Sequence, residues 1–165
     1  MRSTASLDIG NPAACQCAAT IPAAEAAEQQ QAKRGPMPKP IDQRKAPPEV
    51  RAVFDDIKRT RNVPEVNNFW KYLARDPALL ERTWSSVKAT MAPGALDPLV
   101  KEMIYLAVSV TNGCQYCIAS HTAAARKAGM TEAMFGEVMA VVGMANETNR
   151  LANGYRVPVD AAFED

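Results

Sequence analysis

From Pro47 onward the apolar residues of this chain recur every three or four positions, and nowhere do they alternate in twos over a sustained run. That period places apolar side chains along one stripe of a helix and leaves no half-buried strand from which to build a sheet. The chain is therefore expected to be all-α. Pro47-Pro48-Glu49 opens a first helix that carries Val50, Val53, Phe54 and Ile57 and ends near Thr60. Pro64-Glu65 opens a second, with Val66, Phe69, Trp70 and Leu73 on one face, and Asp76-Pro77 a third that runs through Leu79, Leu80, Trp84 and Val87 to Pro93-Gly94. Asp97-Pro98 starts a fourth, almost wholly apolar from Leu99 to Val110, which Asn112-Gly113 interrupts. A fifth is expected from Cys114 to about Lys127, before Gly129, and a sixth capped by Thr131 continues through Val138, Val141 and Val142 towards Arg150. The expectation is a bundle of about six helices with a hairpin at its centre.

Residues 1–45 read differently. They are rich in Ala, Gln and Pro, with three prolines and a glycine between Lys33 and Pro40, and offer little to bury. They are expected to form a mobile tail ahead of a single domain over residues 46–165. Lys and Arg number 19 against 18 Asp and Glu, so no electrostatic argument favours nucleic acid or an anionic membrane as a partner. No apolar run reaches the roughly 20 residues of a spanning helix, and Met1–Asn11 lacks the pattern of a secretory signal, so a cytoplasmic protein is expected.

Four cysteines fall into two pairs, Cys15/Cys17 and Cys114/Cys117, and in a reducing compartment such pairs point to redox chemistry or metal binding before structural crosslinks. Cys114 and Cys117 are three residues apart, and Cys117 and His121 four apart, so a helix carries all three on one stripe. Asn112-Gly113 places Cys114 in the first turn, where unpaired N–H groups and the helix dipole favour a thiolate. Two thiols this close can also close into a disulfide and be regenerated. Glu102 joins them if the fourth and fifth helices fold back at Asn112-Gly113. It lies about ten residues before the turn, level with residues around 122–124, whereas in a straight helix at about 1.5 Å per residue it would lie roughly 18 Å from Cys114. The order Glu102, His121, Cys117, Cys114 could take a proton from a thiol and return one to a leaving oxygen.

Glu102, Cys114, Cys117 and His121, with the wording Asn112-Gly113-Cys114, Tyr116-Cys117 and His121-Thr122 and the later Asn149-Arg150-Leu151-Ala152, resemble the AhpD-like alkylhydroperoxidase branch of the carboxymuconolactone decarboxylase family. The resemblance covers roughly residues 48 to 155. It implies an AhpD-like helical bundle, homo-oligomers (trimers or hexamers), and peroxide reduction without haem or metal. No cofactor is implied beyond a redox-active Cys114–Cys117 disulfide. Cys117 would attack the peroxide, Cys114 would resolve the sulfenate, and Glu102 and His121 would relay protons; the reductant is an external dithiol or protein that the sequence does not name. The chain departs from the family's well-studied members at Tyr116, where they carry a second histidine. A phenol, with a reference pKa of about 10, is a poor general base near neutrality, so Tyr116 is at most an auxiliary hydrogen-bonding group.

Other readings compete. The chain could be a general thiol-disulfide oxidoreductase, or a lyase acting on a cyclic lactone acid, chemistry that does not need two thiols. Cys114, Cys117 and His121 could bind zinc, but three ligands within two turns of one helix close a tetrahedron poorly. Trp70 and Trp84 are expected in the core, and Met130, Met134, Met139 and Met144 in the core or at subunit contacts.

Overall fold

A computed structural model of the chain describes residues 38–163. Residues 1–37, with Cys15 and Cys17 and most of the expected tail, lie outside the described residues. Among the described residues there are six α-helices and no strand: α1 (Pro48–Arg61), α2 (Asn68–Leu73), α3 (Pro77–Met91), α4 (Pro98–Thr111), α5 (Gln115–Lys127) and α6 (Glu132–Tyr155), with short 3-10 turns at Gln43–Lys45 and Ala161–Phe163. The fold is all-α.

Most helix starts follow the sequence punctuation. Asp76 accepts a hydrogen bond from the Leu79 N–H at 3.0 Å, and Asp97 one from the Leu99 N–H at 2.8 Å, each with proline at the next position. Thr131 does the same for Met134 at 3.2 Å. These side chains satisfy N–H groups that the first turn leaves without partners. The second helix departs from expectation. It begins at Asn68 rather than at Pro64-Glu65, because Val66 leaves the helical path to bury itself beside Trp70. Helix α6 runs past Arg150 to Tyr155, and its left-handed stop comes at Arg156, φ 51°.

Two apolar clusters hold the domain. In the first, Val50, Phe54 and Ile57 of α1 meet Val66, Trp70 of α2, and Leu80 and Trp84 of α3, with Ala46 also buried. Ile41 donates its N–H to the Lys71 carbonyl, so the chain ahead of α1 is bound to the same cluster. In the second, Leu106 of α4 and Ala125 of α5 are buried with Met130, flanked by Met103, Ile118, Phe135 and Val138. Here α4 packs along α5 and α6.

Between α4 and α5 the backbone reverses. Gly113 sits at φ +66°, a conformation that residues with a Cβ rarely adopt, and the Cys114 N–H closes onto the Ser109 carbonyl at 3.0 Å. This hairpin positions the site.

Candidate active site

The hairpin brings Glu102, on the second turn of α4, against His121, two turns into α5. The His121 Nδ1 and Glu102 Oε2 atoms are 2.7 Å apart, and both side chains are largely withdrawn from solvent, 13% and 19% exposed. A carboxylate at this distance fixes the ring's orientation and stabilises an imidazolium when the other nitrogen takes up a proton. Tyr105, one turn along from Glu102, stacks on the imidazole with ring centroids 3.5 Å apart and planes within 15°. It clamps the ring from one face. Burial raises the Tyr105 pKa above the usual phenol range, and the nearby sulfur charges add to the effect, so the phenol stays neutral beside the imidazole.

Cys114 is the N-cap of α5 rather than a residue of its first turn, which corrects the placement expected from sequence. Its extended backbone (φ −83°, ψ 90°) turns the sulfur back over the helix start, where it accepts the Cys117 N–H at 3.3 Å. The consequences for the two thiols are opposite. Cys114 is lowered from its ordinary pKa first by a hydrogen bond from the Cys117 thiol, then by the Cys117 and Tyr116 backbone N–H groups. Cys117 is pushed up to about 11, because its thiol proton is held by the Cys114 sulfur, with burial and the Cys114 charge acting in the same direction. Of the two thiols, Cys114 is therefore the more acidic and Cys117 the one that holds its proton more tightly. Both are free cysteines.

Tyr116 turns away from the cysteine stripe. Its hydroxyl accepts the Phe69 N–H at 3.2 Å, which satisfies a donor in the first turn of α2, and its ring lies 6.2 Å from that of Phe69. Tyr116 thus ties α5 to α2.

Three cavities meet these side chains. One of about 40 Å³ is bounded by Cys117, Ser120, His121, Tyr105, Tyr116 and Arg61. It has room for a water molecule or the two oxygens of a peroxide. A second, about 650 Å³ and largely apolar, opens beside Leu96, Ile104 and Val108 and reaches both sulfurs. A third, about 580 Å³, reaches Glu102 and His121 from the side of Arg61, Lys88 and Lys127. Among the described residues, no group of three or more His, Cys, Asp or Glu side chains is gathered closely enough to hold a metal ion.

Sequence reasoning passed over Tyr105 and Arg61. The signal for Tyr105 was present, since it lies three residues after Glu102 on the same helical face. Arg61 gave none, because its position depends on how α1 packs against the tryptophans of α2 and α3.

Residues 77–160, from the start of α3 to beyond α6, match the model of the carboxymuconolactone decarboxylase family. The chain belongs to that family. An uncharacterized protein of Cupriavidus necator is 32% identical over 78 residues, 47% of this chain and 69% of its own length. The crystal structure of an alkylhydroperoxidase AhpD core from Rhodospirillum rubrum superposes with a TM-score of 0.75 at 54% identity, covering 78% of this chain and 97% of the other. The six-helix arrangement is thus the AhpD fold, and no helix among the described residues is long and apolar enough to cross a membrane.

Proposed function

We propose that this chain is a thiol-dependent peroxidase that reduces organic hydroperoxides, with Cys117 as the attacking thiol, Cys114 as the resolving thiol, and Glu102 and His121 as the proton relay. The observation that carries the reading is the 2.7 Å His121–Glu102 contact set beside the same small cavity as Cys117. The likeness to an alkylhydroperoxidase core supports it.

In this cycle His121 takes the Cys117 proton across the small cavity, and Glu102 stabilises the resulting imidazolium. The Cys117 thiolate attacks the near peroxide oxygen, the O–O bond breaks, and the departing alkoxide takes the proton back from His121 to leave as an alcohol. Cys117 is now a sulfenic acid. Cys114, already the more acidic thiol, attacks that sulfur as a thiolate; hydroxide leaves, is protonated to water, and a Cys114–Cys117 disulfide remains. An external dithiol reduces it through the 650 Å³ cavity, from which both sulfurs can be reached. The acidity difference suits this division of labour: a resolving thiol should be ionised before the sulfenate forms, and an attacking thiol that is held protonated needs a base beside it.

Stoichiometry tests the reading. One equivalent of an organic hydroperoxide should remove two free thiols per chain, and peptide mapping should join residue 114 to residue 117. Loss of a single thiol, or a lyase product without thiol loss, would contradict it.

The same proposal includes assembly. Val141, Met144, Leu151 and Tyr155 of α6 are half or more exposed, so this helix leaves large apolar side chains uncovered in the single chain. The chain forms a homo-oligomer, a trimer or hexamer, through this helix. Sedimentation should give a multiple of the monomer mass, and Val141→Lys with Met144→Lys should shift it towards monomer; a wild-type monomer at working concentration would refute this part.

A further inference from the structure

Arg61 closes α1 and is drawn in over the first cluster, its guanidinium 5.6 Å from the Trp70 ring centre and 5.7 Å from that of Trp84. These two indoles, themselves 5.4 Å apart edge to face, are the chain's two tryptophans. Among the described residues no carboxylate forms an ion pair with Arg61. Glu102, Tyr105 and Tyr116 act on it through space, and burial lowers its pKa below the usual guanidinium range. Its partners in direct contact are the two indole rings and no anion, an uncommon arrangement for a half-buried guanidinium.

Its position gives it a use. Arg61 lines both the small cavity that holds Cys117 and His121 and the 580 Å³ cavity beyond it, as do Asn67 and Ser120. Asn67 caps α2 without a side-chain hydrogen bond, which leaves its carboxamide available. Of the lysines around the larger cavity, Lys88 is matched by Asp56 at 2.8 Å, and Lys127 is exposed at the surface. One cation therefore remains on the wall of the small cavity that Cys117 and His121 also line, as a planar guanidinium whose paired N–H groups match the two oxygens of a carboxylate.

We infer that Arg61, with Asn67 beside it, is the anchoring site for the carboxylate of an acid-bearing hydroperoxide, so that the enzyme prefers peroxides of organic acids over neutral ones. This rests on the peroxidase reading for its consequence but not for the binding itself. The acid approaches through the 580 Å³ cavity past Lys127, its carboxylate stops at Arg61, and its peroxide oxygens occupy the small cavity at Cys117.

The test compares tert-butyl hydroperoxide with β-hydroperoxyisovalerate, the same tertiary peroxide bearing a carboxylate. Wild type should show a KM for the acid lower by about tenfold or more, the size expected of a charge-assisted hydrogen bond, with similar kcat. Arg61→Met should abolish the difference by raising KM for the acid alone, and Arg61→Lys should retain part of it. Equal KM values in wild type, or a preference that survives in Arg61→Met, would overturn the proposal. A second measurement needs no turnover: the fluorescence of Trp70 and Trp84 should respond saturably to β-hydroxyisovalerate and not to tert-butanol. That response should vanish in Arg61→Met, or in Arg61→Gln if circular dichroism finds the Met variant unfolded. If neither peroxide is consumed but the carboxylate still binds through Arg61, the peroxidase reading fails and the anion site stands. No carboxylate-specific response would remove the anion site, whatever the kinetics.

Discussion

Cys117→Ser is expected to reduce hydroperoxide consumption to the background rate, whereas Cys114→Ser should abolish only the steady state and speed the first chemical step. The contrast follows from the hydrogen bond between the two thiols. In the native pair Cys117 is raised from its ordinary value of 9.0 to about 11, chiefly by the Cys114 sulfur that holds its proton. Removing that sulfur removes the largest and the third of the three causes and leaves only burial. Because burial remains, the Cys117 pKa falls only part of the way back to 9.0, so the thiolate fraction near neutral pH rises by less than about a hundredfold, and the weaker nucleophilicity of a more acidic thiol takes back part of that gain. The net expectation is sulfenic acid at Cys117 formed several-fold faster in the first turnover.

Rapid mixing with one equivalent of hydroperoxide, with sulfenate trapped by dimedone, reads that step directly. Without a resolving thiol the sulfenate should persist and no intramolecular disulfide should form. Alkylation offers a companion readout: near neutral pH iodoacetamide should label Cys114 before Cys117 in the native protein, because Cys114 is the more acidic thiol. Should Cys114→Ser form sulfenate more slowly than wild type, or should Cys117→Ser keep its turnover, the roles of the two thiols would have to be exchanged.

Much of this arrangement could be read before any coordinates, and the limits of that reading have physical causes. Residues related by helical spacing were legible, because period and capping are local: Asp76-Pro77, Asp97-Pro98 and Thr131 each start the helix they signal. The fold-back was legible for the same reason, since a glycine in the left-handed conformation at residue 113 is a local event with a long-range consequence, the meeting of residues 102 and 121. Asn68 as the start of α2 was not, because Val66 is taken out of the helix by a tertiary contact with Trp70. Nor was the position of Cys114, where one residue of difference between first turn and N-cap decides whether its sulfur faces solvent or the Cys117 N–H. Arg61 lay furthest from view. Nothing within four residues of it marks it, and only the crossing of α1 over the tryptophans brings it to the thiol's cavity.

Glu102→Gln should slow hydroperoxide reduction by about a hundredfold or more near neutral pH, the usual worth of positioned acid–base catalysis, while leaving the Cys114–Cys117 pair intact. The amide can still hold the imidazole by a hydrogen bond, but it has no charge with which to stabilise the imidazolium, so His121 becomes a poor acceptor for the Cys117 proton. The thiol must then ionise into water. Because its pKa is about 11, the protonated form dominates below that value, and the thiolate fraction grows tenfold with each pH unit until the pKa is reached. The variant's single-turnover rate should therefore climb steeply with alkalinity up to about pH 11. The wild type, with a base supplied by the protein, should climb less. The ratio of the two rates is the decisive quantity: largest near neutrality and shrinking as pH rises. His121→Gln should follow the same curve, since it removes the same acceptor, and the double variant should be no slower than either single one. A ratio constant from neutral to alkaline pH would mean that Glu102 only props up the hairpin. Additive losses in the double variant would mean that the two side chains act separately rather than as one relay.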